Sequence, residues 1–215
     1  MVLGWTIWLL GLLTLGFAER SVGATCSMER AASGLQLSPH EKGHPARLVV
    51  ALGGAPQLIS EAAFAGWILD HGCRIAYAAA DGAGGYENEG QSLWIYETES
   101  RRRKKLMASQ FSIDEVIEAA ASPGRTALIV PMHDSGLGAT HVAVLDPDRG
   151  EVFLQRQARV LAYSLGKLIL GFYDEDDWSD LLQGKYIPPR RVKSYSLLQL
   201  LDRPARVRRP YTRRD

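Results

Sequence analysis

Three stretches, each a glycine followed by a short apolar run, decide the fold: Gly72-Cys-Arg-Ile-Ala-Tyr-Ala, Gly124-Arg-Thr-Ala-Leu-Ile-Val and Gly166-Lys-Leu-Ile-Leu-Gly-Phe. A second apolar segment that ends in a polar turn follows each of them, beginning at Leu93, Val142 and Ser194. The glycines lie 52 and 42 residues apart. Short apolar runs that are rich in β-branched and aromatic residues and bounded by turn residues predict β-strands. The sequence therefore predicts an all-β protein with a repeated unit.

The repeat predicts three units of antiparallel strands. Their expected strands lie near 63–70, 74–79, 92–98 and 103–108 in the first unit, near 114–120, 125–131, 140–146 and 151–155 in the second, and near 159–164, 167–173 and 192–201 in the third. Another strand is expected from Arg47 to the glycine pair at 53–54, and residues 59–70 fit a strand or a short helix. The segment 113–121 contains Ala and Glu, which favour helix, so only its place in the repeat predicts a strand there.

This organisation resembles the β-propeller repeat families, in the style of WD40-like and TolB-like blades, over about residues 60 to 203. The Trp-Asp dipeptide of WD repeats is absent from the chain. The resemblance implies four-stranded antiparallel blades that pack face to face, and closed propellers use about four to eight of them. Because the chain supplies about three, the resemblance implies ring completion by oligomerisation, an open fragment, or a partial fourth blade from the N-terminal segment.

Residues 1–24 predict a signal peptide or a membrane anchor. The stretch from Met1 to Ala18 contains no charged side chain, and Val22-Gly-Ala has the small residues that signal peptidase prefers. No Lys or Arg precedes the apolar run, so an uncleaved anchor at residues 2–18 and a buried core segment remain alternatives. We therefore expect a periplasmic or secreted protein, or one that is anchored to a membrane by this segment.

The rest of the chain divides by composition. Residues 25–45 predict a linker or arm, 46–203 a propeller-like domain, and 204–215 a basic disordered tail. The formal net charge of +1 argues against a nucleic-acid partner and leaves the N-terminal segment as the membrane contact. Cys26 and Cys73 could pair in an oxidising compartment, but two cysteines make no disulfide framework. We expect instead that Cys73 is a buried apolar residue.

Three long polar loops occupy equivalent places in the three units, which predicts that they share one rim and bind a ligand there. The alternative is that glycine-rich loops are simple insertions. The candidate rim residues are Asp81, Tyr86, Glu87 and Asn88 in loop one, His133, Asp134 and His141 in loop two, and Asp174, Asp177 and Trp178 in loop three.

The loop side chains also allow metal binding. His133 and His141 are candidate ligands of a transition metal, and the acidic run of loop three offers oxygen ligands to Ca²⁺, although its spacing is not that of an EF-hand. The sequence predicts no cofactor and identifies no catalytic residue. We expect a binding or scaffold protein whose partner is another protein or a second copy. The alternative is the propeller subunit of a periplasmic redox or hydrolytic enzyme, with or without a metal.

Overall fold

A computed structural model describes residues 26–27, 30–38, 45–80, 91–134 and 139–204. In these residues the strands form three antiparallel sheets. The first sheet contains β1 (Ala32–Ser38), β2 (Ala46–Leu52), β3 (Ala55–Leu69), β4 (Arg74–Ala80), β5 (Gln91–Glu97) and β6 (Arg102–Ser109). The second contains β7 (Ser112–Ile113), β8 (Ile117–Ser122), β9 (Arg125–His133), β10 (Thr140–Asp146) and β11 (Gly150–Gln155), and the third β12 (Ala158–Ser164), β13 (Lys167–Phe172) and β14 (Arg191–Ser196).

The strand positions predicted for the three units are confirmed in most places, including the least certain one at β8. The exceptions are residues 114–116, which lie between two strands, and residues 197–201, which are helical. Ala119 and Ala121 of β8 are buried, whereas Glu118 and Ala120, which alternate with them, are exposed. This alternation has the period of two that a half-buried strand requires, and β8 pairs with β9 in an antiparallel register. The favourable cross-strand packing therefore outweighs the small helix preference of Ala and Glu.

The four-stranded blades that the resemblance implies do not correspond to the observed sheets, because in the described residues the sheets contain six, five and three strands. Three is the number of strands expected for the third unit. The first sheet is larger because β3 belongs to two sets of strands. Its first half pairs with β2 and its second half with β4, and Ala63 pairs with both Ala46 and Ala79. The third sheet is smaller because the chain enters α2 (Leu197–Leu201) directly after β14.

β1, β2 and the first half of β3 pack against one face of the sheet that the second half of β3 forms with β4, β5 and β6. Leu48 and Val50 of β2 share a buried cluster with Ile75 and Tyr77 of β4. The Gln57 side-chain amide donates a hydrogen bond of 2.8 Å to the Tyr96 hydroxyl across the same interface. This packing covers a face of the first sheet that would otherwise be open to water.

Two expectations for the N-terminal part are corrected. Residues 32–38, expected within a linker, form β1 because Leu35 and Leu37 pack on the same cluster. Cys73 is not a free buried residue but forms a disulfide with Cys26, whose Cα lies 5.4 Å away. The bond ties the start of the described chain to the residue before β4.

Two further buried clusters join the sheets. One lies between the first and second sheets and includes Leu93, Leu128 and Leu145. The other lies between the second and third sheets and includes Leu168 and Leu170 of β13 together with Leu197, Leu200 and Leu201 of α2. The three sheets therefore pack in sequence order. In the described part of the chain, no helix has both the length and the apolar character needed to cross a membrane.

Candidate functional site

Pro131 of β9 lies opposite the gap between the edge strands β7 and β8, where the Asp114 and Glu115 side chains are exposed. The Asp114 N–H donates to the Pro131 carbonyl of β9 at 3.1 Å, so the backbone polar groups of Pro131 face the β7–β8 side. Proline has no N–H to continue the ladder there. The edge is accordingly interrupted between β7 and β8, and Asp114 and Glu115 project from the interruption.

Asp114 forms a pair with His133. One carboxylate oxygen of Asp114 contacts Nδ1 of the His133 ring, and both side chains are about two-fifths exposed. A carboxylate at Nδ1 fixes the orientation of an imidazole and leaves Nε2 for other contacts. The sequence reasoning missed Asp114 because it searched the three long loops, whereas the partner of His133 lies in the short connection between β7 and β8.

The expected metal pair, His133 and His141, does not form. His133 pairs with Thr140 and His141 with Met132 in the β9–β10 ladder, and adjacent pairs of a ladder point to opposite faces of the sheet. The structure therefore separates the two rings. Among the described residues, no group of three or more His, Cys, Asp or Glu side chains lies close enough to hold a metal ion.

His141 is a core residue. Its side chain is 5% exposed and stacks on Phe111 with ring centroids 3.9 Å apart. Nδ1 accepts a hydrogen bond of 3.2 Å from the Gln157 N–H, which leaves the proton of a neutral ring on Nε2. Burial lowers the pKa of His141, against a smaller raising effect of the Asp134 carboxylate. The imidazole is therefore neutral at physiological pH.

Loop three contains a short helix and an acidic side chain that is held by an arginine, although its acidic sequence predicts a solvated loop. It contains α1 (Asp177–Leu182), and both carboxylate oxygens of Asp177 accept hydrogen bonds from the Arg190 guanidinium, at 2.9 and 3.1 Å. Asp177 is buried, and this guanidinium holds the pKa of its carboxyl below the ordinary value. Asp174 remains exposed, and its backbone N–H also donates to Asp177.

Loops two and three meet through Trp178, which is buried rather than exposed on a rim. Its ring lies 5.2 Å from that of Tyr173, and both pack with Ala139 at the end of loop two. Asp134, at the other end of loop two, donates its N–H to the Ala139 carbonyl at 2.9 Å. The candidate residues Asp81, Tyr86, Glu87 and Asn88 of loop one lie outside the described residues.

A cleft of about 640 Å³ lies between the second and third sheets beside these two loops. Its volume is within the range of about 300–1,000 Å³ that is usual for ligand sites. Its walls are mostly apolar, and Asp114, Glu115 and Arg159 supply charge. The lining residues are Asp114, Glu115, Ile117, Pro131, Thr140, His141, Val142, residues 158–163, Trp178 and Leu181.

Most of this lining was not predicted from the sequence. Of the candidate rim residues, His141 and Trp178 line the cleft. His133 is not a lining residue, but it contacts the lining residue Asp114. The wall formed by β12 was missed because the search for site residues was confined to the loops, whereas β12 is a strand. In the structure, Leu161 and Tyr163 of this strand are 42% and 45% exposed, although both side chains are large and apolar.

No family model matches the chain, and no curated protein matches its sequence. Solved structures are similar in their arrangement of strands. The β-propeller domain of the Trilobed protease from Pyrococcus furiosus has a TM-score of 0.46 at 15% identity, over 77% of this chain and 53% of that one. The acylaminoacyl peptidase of Pyrococcus horikoshii has a TM-score of 0.44 at 12% identity, over 75% of this chain and 28% of that one. The chain thus spans about half of the first protein and about a quarter of the second.

Proposed function

We propose that this chain is an exported, propeller-like binding protein that holds its partner in the cleft between the second and third sheets. The observation that carries the proposal is the cleft itself, with its apolar walls and its acidic margin at Asp114 and Glu115. Apolar surface that remains open to water in a folded protein marks an interaction site more often than a structural one. The partner is another protein or a second copy of this chain.

The two loops beside the cleft are held in place by packing and by an ion pair. Loops two and three pack against each other at Ala139 and Trp178, and Arg190 ties the base of α1 in place through Asp177. Side chains held by a packed second layer lose little conformational freedom when a partner binds. No metal or organic cofactor forms part of this proposal.

The test is a selection of random peptides, displayed on phage, against the immobilised full chain. Ala162 is exposed and lines the cleft, so Ala162→Trp fills it without touching the core. Ala120 is equally exposed on β8 but lies outside the lining, so Ala120→Trp is the matched control. We expect peptides that bind the wild type and Ala120→Trp and fail on Ala162→Trp. Equal enrichment on all three proteins would refute the cleft as the binding site.

Export is supported by the Cys26–Cys73 disulfide together with the apolar segment at the start of the sequence. Structural disulfides form and persist in oxidising compartments, such as the bacterial periplasm or the outside of the cell. The intact mass of the exported protein tests processing. We expect the mass of a chain without residues 1–24, and a mass that retains Met1 would favour the membrane anchor instead.

The Asp114–His133 pair favours a second function, that of a hydrolytic subunit. A histidine whose Nδ1 is held by a carboxylate is suited to act as a general base at Nε2. Labelling with a fluorophosphonate probe tests this, because the probe reacts with a serine that is activated by such a base. Labelling that His133→Gln abolishes would support the enzyme; no labelling, or equal labelling of this variant, would refute a serine hydrolase.

A further inference from the structure

The third sheet leaves one edge open beside the cleft. Within the described residues, β12 pairs with β13 alone and lies at the end of the order β12–β13–β14. An edge strand presents a row of N–H and C=O groups that can pair with another extended chain. One group of this edge already has a partner, because the Thr140 hydroxyl donates to the Ala158 carbonyl at 2.9 Å.

The cleft runs along this edge and not only along a face of the sheet. Six consecutive residues of β12, from Ala158 to Tyr163, line it. Since successive side chains of a strand point to opposite faces, a cleft that touches all six must follow the backbone edge itself. An extended chain in the cleft would therefore lie next to the unpaired backbone groups.

Two of the other edge strands, β6 and β14, carry exposed basic residues that discourage pairing, whereas the second half of β12 carries none. The outer strand β6 has four exposed basic residues from Arg102 to Lys105, and β14 has Arg191 and Lys193. Proteins use such charges to keep edges from pairing with other chains. From Val160 to Ser164, β12 has no charged residue, and Leu161 and Tyr163 are exposed instead.

The register of β12 limits where a new strand can pair. The β12–β13 ladder shifts between Val160 and Ala162, so Leu161 is an extra residue in a bulge. A bulge bends its strand and interrupts the regular spacing of backbone groups. An added strand is therefore short, and it pairs on the Ala162–Ser164 side, away from the Ala158 carbonyl that Thr140 occupies.

The end of the cleft at which β12 begins is acidic. The Thr140 hydroxyl donates to the carbonyl of Ala158, the first residue of β12, and Thr140 lies opposite His133 in the β9–β10 ladder. The His133 ring in turn contacts the Asp114 carboxylate. Asp114 and its neighbour Glu115 therefore lie at the end of the cleft where β12 begins. Arg159 is the one guanidinium among the lining residues, so two carboxylates stand against a single basic group. A positively charged group of a partner would complement this end.

We propose that β12 binds an extended peptide as an additional strand, with apolar side chains at alternate positions in the cleft and a basic residue toward Asp114 and Glu115. This deepens the proposed function and rests on it, because it names the chemistry of the partner in the same cleft. Backbone hydrogen bonds supply affinity in strand addition, and side chains supply the preference for a sequence.

The experiment titrates the folded full chain with the synthetic peptide Lys-Val-Thr-Val-Thr-Val-Thr and with its analogue methylated at alternate backbone nitrogens. Methylation removes the ladder donors and keeps the side chains. The variants are Leu161→Lys and Tyr163→Lys, which give β12 the charge of the other edges. Val192→Lys, on the exposed part of β14, is the matched control. Thermal unfolding checks that each variant is folded.

We expect binding of the unmodified peptide with a Kd of about 1 mM or tighter, weakened about tenfold or more by N-methylation and by either β12 variant but not by Val192→Lys. Equal binding of the methylated peptide would overturn strand addition. If the peptide fails to bind while the phage selection yields ligands that depend on the cleft, strand addition is wrong and the proposed function stands. If both fail, the proposed function fails as well.

Discussion

Removing the Cys26–Cys73 disulfide should destabilise the protein more than any single change on its surface. The bond closes a loop of 47 residues. In the chain-entropy model, a cross-link of that span restricts the unfolded chain enough to contribute about 4 kcal/mol to the free energy of unfolding at 25 °C. The loop contains β1, β2, β3 and the turn before β4, so the bond constrains the whole first part of the first sheet.

The perturbation is the double variant Cys26→Ser, Cys73→Ser, and the assay is urea unfolding followed by circular dichroism. With an m-value of about 2 kcal/mol per M, a loss of about 4 kcal/mol lowers the midpoint by about 2 M. A reductant should lower the midpoint of the wild type by the same amount and leave that of the variant unchanged. The contact between Arg30 and Glu99 remains in both forms, but its groups are about half exposed and it adds little.

Two results would refute this reasoning. One is a wild-type midpoint that does not change when the protein is reduced. The other is a titration that finds two reactive thiols in the oxidised, unfolded protein, because the bond would then be absent and the compartment argument for export would lose its support.

Three further predictions concern the core and the turns. Leu145→Ala should cost about 2–5 kcal/mol in chemical unfolding, because Leu145 is fully buried between the first two sheets. Gly150→Ala should cost about 1–3 kcal/mol or more, since φ is 91° and an added Cβ would lie 2.7 Å from a backbone oxygen. Burial lowers the pKa of His141 in the folded protein below its ordinary value of about 6.5. The unfolded chain therefore takes up a proton at this residue at higher pH than the folded protein does. The stability that depends on the neutral imidazole is complete above about pH 6.5 and is lost as the pH falls through the folded-state pKa. His141→Gln should flatten the dependence of the melting temperature on pH below the ordinary histidine pKa of about 6.5.

The core and turn predictions each have a control residue in the chain. Leu165→Ala should change stability little, because Leu165 is 98% exposed. Gly34→Ala on the edge strand β1 should be nearly neutral, since an added Cβ there meets nothing within 4 Å. A cost for Leu165→Ala equal to that of Leu145→Ala, or identical pH profiles for the wild type and His141→Gln, would contradict the burial argument.

The strands of the three units were predictable because each signal is local. A glycine turn followed by an apolar run determines β4, β9 and β13, and the structure has positive φ at Gly72, Gly124 and Gly166. The strand β1 was missed because Leu35 and Leu37 are its only large apolar residues. The full length of β3 was not predicted, because its first half pairs with β2 and its second half with β4. Sheet membership depends on long-range pairing, which a local pattern does not contain.

The candidate site was less predictable for a related reason. Neighbours in sequence, such as His133 and His141, were expected to act together, but the two-residue period of the ladder puts them on opposite faces. The group that does meet His133 is Asp114, nineteen residues earlier, at a break that depends on the missing N–H of Pro131. The charge of the acidic run predicted an exposed loop, whereas Arg190 neutralises Asp177 from thirteen residues away.

The disulfide has a mechanical consequence for a chain that is held at its N-terminal end. Tension applied there would reach Cys26 and pass through the covalent bond to Cys73, directly into β4. The segment between the two cysteines, which contains β1, β2 and β3, would bear no tension, so the applied force would not pull these strands apart. Reduction would reroute the same force through every one of those strands in turn.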